Sequence, residues 1–237
     1  MAEPARSRLI DVGALLFFGA FVLIWPFVEE PLVTRFGVRP FAAWFLFNMF
    51  MVSGTSRKSV PPELRPGWVD GLAFLVLFFA AIATDARIFL SLLPAWVYAS
   101  LARIFAASLR TEKSLVERVA LRLEPNAPEA IIRPYCRGVT AFWAAVFLVN
   151  ALGIAALALF APRWWGAYTG WICWLVFAAL SLGEFVVRKI HFRNYDGGPI
   201  DSAFEFFFPA DGNEMGRRAN AYKGEMRRAQ GRPERGR

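Results

Sequence analysis

From Val139 to Phe160 the chain runs for 22 residues without one charged side chain. As a helix rising about 1.5 Å per residue, such a run is long enough to cross a hydrocarbon core about 30 Å thick. Ala167 to Val187 repeats the pattern, with Glu184 near its end as the sole charge. Lipid offers no water to satisfy backbone N–H and C=O groups, so a segment of this kind has to be helical.

Four further stretches extend the pattern. Leu9–Val28 carries only Asp11, and Val38–Ser53 lies between Arg39 and the polar Gly54–Lys58 segment. Trp68–Thr84 is short and uncharged after Asp70, and it crosses if the bilayer thins or the helix is buried among others. Ile88–Ala107 follows a tight Asp85-Ala86-Arg87 turn, with Arg103 near enough to its end to reach water. The expected fold is therefore all-α and polytopic, with about six spans at 9–28, 38–53, 68–84, 88–107, 139–160 and 167–187 in a helical domain over 1–193. Composition agrees: 57% hydrophobic and 19% charged, with 24 Phe and 9 Trp, is more apolar surface than a soluble core hides. Arg6 and Arg8 precede the first apolar run, but no small-residue cleavage site follows Trp25-Pro26-Phe27-Val28, so an uncleaved first span is expected.

Charge sets the orientation. With the N-terminus cytoplasmic, 23 of the 27 Lys and Arg fall on the inner side, leaving Arg35, Arg39, Arg87 and Arg163 outside. That asymmetry places both termini of a multi-pass chain in the cytoplasm. The net charge of +8 then belongs to one face and points to anionic headgroups or acidic proteins. Nucleic acid is not an expected partner, because no nucleic-acid-binding module accompanies the basic residues.

Between the fourth and fifth spans lies a charged belt. Ser114 with Glu117 three positions later makes a capping-box pattern, and Pro125 ends the segment. Leu115, Val116, Val119, Ala120 and Leu123 share one side at helical spacing, while Glu117, Arg118, Arg122 and Glu124 share the other. This predicts an amphipathic helix over about 114–124, lying on the cytoplasmic membrane surface with its arginines toward phosphates. Asn126-Ala127-Pro128 and Pro134 are expected to redirect the chain into the fifth span. Beyond His191 the composition turns polar, predicting a basic and largely disordered tail at 194–237 with an aromatic anchor at 204–208.

The candidate binding residues for lipid or a partner are the cations Arg118, Arg122, Arg133, Arg137, Arg188 and Lys189 on that inner face. Within the spans, Glu184, Asn48 and Asn150 are the polar groups to explain. A local pair with Arg188, one helical turn on, accounts for Glu184, and interhelical hydrogen bonding accounts for the asparagines. Cys136 and Cys173 sit at different depths and read as reduced thiols, although Arg133 and Arg137 would favour a Cys136 thiolate. His191, the single histidine, reads as a solvated residue beside the membrane; no metal site, cofactor or catalytic constellation is expected.

Several motifs occur in a shared order: Ser-Leu-Val-Glu-Arg at 114–118, Arg-Leu-Glu-Pro at 122–125 with Pro128-Glu129, Tyr135-Cys136-Arg137 with Val139, Thr140 and Trp143, Phe147 with Asn150, and Gly-Glu-Phe-Val-Val-Arg-Lys at 183–189. On these the chain resembles a family of small bacterial inner-membrane proteins found with aryl polyene or xanthomonadin pigment biosynthesis, sometimes labelled ketosynthase. The resemblance covers a little under half of the chain. It implies a role beside acyl-carrier-protein chemistry at the membrane and supplies no catalytic residue; a condensing enzyme needs a nucleophilic Cys with His partners, and this chain has one His. The expected function is a membrane accessory or scaffold protein, with membrane lipids, an acidic acyl carrier protein or biosynthetic enzymes as partners. A transporter or lipid-handling protein for a hydrophobic product is the alternative, and an intramembrane acyltransferase is a third reading; an enzyme is the less favoured class.

Overall fold

The computed structural model describes residues 31–44, 46, 68–123, 129–193, 199–209, 212 and 214–229. The expected first span, most of the second and Asn48 lie outside the described residues. Among those described there are helices and no strands. Three helices, Arg87–Ser108, Glu129–Phe160 and Pro162–Phe192, are long and apolar enough to cross a membrane. The chain divides into two compact units, residues 1–107 with 142–175 and residues 108–141 with 176–237.

In the first unit, helical stretches at 31–36 and 38–44 precede α1 (Trp68–Thr84), α2 (Arg87–Ser91) and α3 (Leu93–Ser108). The 17 residues of α1 are helical where the third span is expected, and its apolar part, Gly71–Thr84, is shorter than the three long helices. Asp85 ends α1 in the left-handed region (φ 57°), a conformation Asp tolerates better than most side chains, and Ala86 is extended. Two residues thus reverse the chain, and Phe78 and Ala81 of α1 share a core with Leu90 of α2 and Leu93 at the start of α3. Pro94 has no N–H to give the Leu90 carbonyl, yet the helix carries on around it through Leu92 N→Ile88 O and Trp96 N→Leu92 O at 3.1 and 3.0 Å.

α5 (Glu129–Phe160) supplies its last part to the first unit, together with α6 (Pro162–Ala167) and a π-helical turn at Tyr168–Ile172 that leads into α7 (Cys173–Phe192). Ile154, Ala158, Trp165 and Ala95 form a second core here. The opposite faces are apolar but unburied: Val149 is 68% exposed and Phe160 85%. Water would penalise such surfaces, and lipid would not.

The second unit is built from α4 (Leu115–Leu123), the first part of α5, the last part of α7, α8 (Pro199–Phe207) and α9 (Glu214–Ala229). One expectation changes. Pro134 does not redirect the chain, because α5 begins at Glu129 and runs straight through it. Only the Ala130 carbonyl loses its i+4 donor, so close to the helix start that the ladder is barely interrupted. Among the described residues of the tail lie α8 and α9; in α9, Arg218 reaches back one turn to Glu214 among good helix formers.

Candidate functional site

The charged belt is organised around the start of α4. An α-helix leaves its first amides without intrahelical acceptors. Here Ser114 N–H donates to Glu117 Oε2 (3.3 Å), Leu115 N–H to Ser108 Oγ (3.1 Å) and Val116 N–H to Thr140 Oγ1 (3.4 Å). The Thr140 hydroxyl donates in turn to the Cys136 carbonyl at 2.7 Å. Ser114, Glu117 and Thr140 are all fully buried. The capping box is half made: Glu117 reaches back to the Ser114 amide, while the Ser114 hydroxyl has no hydrogen-bond partner among the described residues.

Glu117 therefore departs from its predicted place. Its helical position puts it with Arg118 and Arg122 on the polar side, but it is 0% exposed and its Oε1 accepts from Arg133 Nε at 2.9 Å. Arg133 also reaches Glu129 through Nη2 (3.3 Å), and Glu129 takes Lys113 Nζ at 2.6 Å. A buried carboxylate is tolerable because a cation and a backbone amide share it. Only the beginning of α4 is sealed in this way; Val119 and Arg122 are exposed.

All six proposed cations interact within the chain, and for four of them the contacting atoms are defined. Arg133 serves Glu117 and Glu129. Arg137 donates to the Leu109 and Thr111 carbonyls at 2.6 and 3.4 Å, closing the turn between α3 and α4. Arg188 Nε stands 3.8 Å from Glu184, with its guanidinium over the Phe185 ring, and Lys189 Nζ lies 2.5 Å from Asp201. Arg118 is half-buried and Arg122 exposed.

Glu184 has the expected neighbour in Arg188 and a closer one that its local sequence does not reveal. Tyr135 Oη donates to Glu184 Oε1 at 3.1 Å, from 49 positions away. Tyr135 also stacks on His191, with ring centroids 5.3 Å apart and planes inclined by 17°. His191 is thus half-buried between Tyr135 and Phe192 rather than solvated, because the stacking face comes from another helix. Cys136, at the same level of α5, is buried, which opposes the thiolate that neighbouring arginines suggested.

A second polar group lies in the first unit. Asn150 is buried and its Oδ1 accepts from Tyr168 Oη (2.9 Å) and Cys173 Sγ (3.4 Å), while Cys173 Sγ and Tyr98 Oη are 3.3 Å apart. Trp165 Nε1 donates to the Ser91 carbonyl at 3.0 Å, and Thr169 Oγ1 to the Trp165 carbonyl at 2.8 Å. The interhelical role expected of Asn150 is present, joining α3, α5 and α7 at the π-helical turn. Of the aromatics in this group, Tyr98, Tyr168 and Trp165 carry no local signal; each looks like one more aromatic in an apolar run. Among the described residues, no three His, Cys, Asp or Glu side chains converge as metal ligands would.

No family model, curated protein or solved structure matches this chain. Its chemistry is read from its own residues.

Proposed function

We propose that this chain is an integral membrane protein of six spans, both termini cytoplasmic, that acts as an accessory or scaffold protein for biosynthesis at the membrane. One observation carries the reading: the ionisable side chains bordering the long apolar helices fasten one helix to another, as Glu117 with Arg133 and Glu184 with Tyr135, while the faces left exposed are apolar. Such a design holds a shape in lipid, and among the described residues no groups stand together as acid, base and nucleophile. The 23-to-4 distribution of Lys and Arg supports the orientation. The ordered motifs between Ser114 and Lys189 support kinship with the inner-membrane proteins of polyene pigment pathways, and with it an acidic acyl carrier protein as partner.

For such a partner the polar side of α4, with half-buried Arg118 and exposed Arg122, is the part of this basic face to test first. Long-range attraction of this kind raises encounter rate and weakens with salt. The experiment is titration of carrier protein from a polyene pathway against the protein in neutral nanodiscs, for the wild type and for Arg118→Gln with Arg122→Gln. Salt-sensitive binding that the double variant loses supports docking, and no binding by the wild type rejects it.

The alternative, handling or transport of a hydrophobic product, draws on the π-helical turn at Tyr168–Ile172, since irregular turns within apolar helices often accompany ligand paths. Flux of a labelled polyene lipid across proteoliposomes that depends on Asn150 would favour it over the scaffold role.

A further inference from the structure

α8 has two dissimilar faces. Asp201, Phe204 and Pro209 tie it and its exit to the last turns of α7, through Lys189 Nζ–Asp201 at 2.5 Å, the Phe204 ring edge-on to Phe185 at 6.3 Å, and Arg193 Nη1 donating to the Pro209 carbonyl at 2.7 Å. Phe206 and Phe207 point away from those contacts and are 81% and 72% exposed. Adjacent large aromatics left bare on a short helix need a solvent other than water.

The tethers say which one. All three land between Phe185 and Arg193, where the apolar stretch of α7 gives way to Arg188, Lys189 and Arg193. Arg188 and Lys189 both sit over the Phe185 ring, at 5.7 and 6.0 Å, as cations do at the edge of a hydrocarbon layer. α8 is thereby held at the depth of that edge, where the rings of interfacial helices enter the acyl boundary.

We propose that α8 is an in-plane interfacial helix whose Phe206 and Phe207 insert into the bilayer spanned by α7, with Phe204 and Asp201 as its protein-side anchors. The inference rests on the membrane-spanning reading above and extends it, giving the tail a fixed attachment to the lipid surface.

Nitroxide scanning of the full chain in phosphatidylcholine nanodiscs tests it. Buried Cys136 and Cys173 are replaced by Ala and Ser, and single labels are placed by Phe206→Cys, Phe207→Cys, Glu205→Cys and, as a spanning control, Leu182→Cys. Accessibility to oxygen should exceed accessibility to a water-soluble nickel chelate at 206, 207 and 182, with the reverse at 205. Chelate access at 206 and 207 alongside an oxygen-accessible 182 overturns the inference alone. Exclusion of both probes from 206 and 207 also overturns it, since a second copy or another protein then covers the face. Chelate access at 182 removes the spanning reading itself, and the inference with it.

Label-free variants guard against misfolding. In nanodiscs, residues 199–209 should resist protease in the wild type and in Phe206→Leu with Phe207→Leu, and lose that resistance in Phe206→Glu with Phe207→Glu. Equal cleavage of the Leu and Glu pairs overturns the proposal.

Discussion

Arg133 Nε donates to Glu117 Oε1 across 2.9 Å, joining the first turn of α4 to the second turn of α5 while burying the carboxylate completely. Through Glu117 the same contact governs the Ser114 amide, so one side chain serves both helix capping and helix docking.

Glu117→Ala is therefore expected to destabilise the protein. The buried Ser114 amide loses its acceptor, a loss of about 1–3 kcal/mol, and Arg133 loses its buried partner as well. Arg133→Gln should cost at least as much as Glu117→Ala, since it leaves the buried carboxylate without its cation, whereas in Glu117→Ala the orphaned Arg133 retains access to water. Denaturant unfolding in detergent measures both. In a double-mutant cycle the combined loss should fall short of the sum, because either change already breaks the pair.

Replacing Asn150 by Leu removes the acceptor for Tyr168 and Cys173 together. Hydrogen bonds between helices in lipid average about 0.6 kcal/mol and reach about 1.7 kcal/mol, so a thermal shift of a few degrees is expected rather than unfolding. Tyr168→Phe should show a smaller shift. A loss in Asn150→Leu no larger than in an exposed control such as Leu152→Ala would contradict the network.

Trp165→Phe keeps the ring in its core and removes the donor to the Ser91 carbonyl. The expected penalty is about 1 kcal/mol, read from the unfolding midpoint. Trp165→Ala adds a cavity, and a loss of about 3–5 kcal/mol is expected.

Both thiols are buried and free. A bulky maleimide should leave Cys136 and Cys173 unmodified in the folded protein and modify both after denaturation, and mass spectrometry distinguishes the two outcomes. Rapid native labelling of Cys136 would place it at an accessible surface instead.

Topology is checked with an impermeant thiol reagent on variants with those two cysteines replaced. Glu112→Cys, chosen because the Thr111 hydroxyl holds its turn, should be reached from the cytoplasmic side along with Ser56→Cys and a C-terminal Cys. Ala86→Cys and Ala161→Cys should be reached from the opposite side. Periplasmic access at residue 112 would overturn the arrangement.

What the sequence determined by itself was local. Apolar runs located α1 up to Thr84 and ended α5 at Phe160, and the spacing of Leu115, Val116 and Arg122 located α4. Helix formation and hydrophobicity depend on neighbours a few positions away, so a pattern of residues carries them. Tertiary structure decided where the polar groups went. Whether Glu117 faces solvent or is buried depends on Arg133, 16 positions later, and Glu184 is held by Tyr135 from 49 positions away. The Ser91 carbonyl finds Trp165 after 74 positions, and Cys173 finds Tyr98 after 75. A polar side chain can be buried only where a partner offsets its lost hydration, and such partners come together only when distant segments pack.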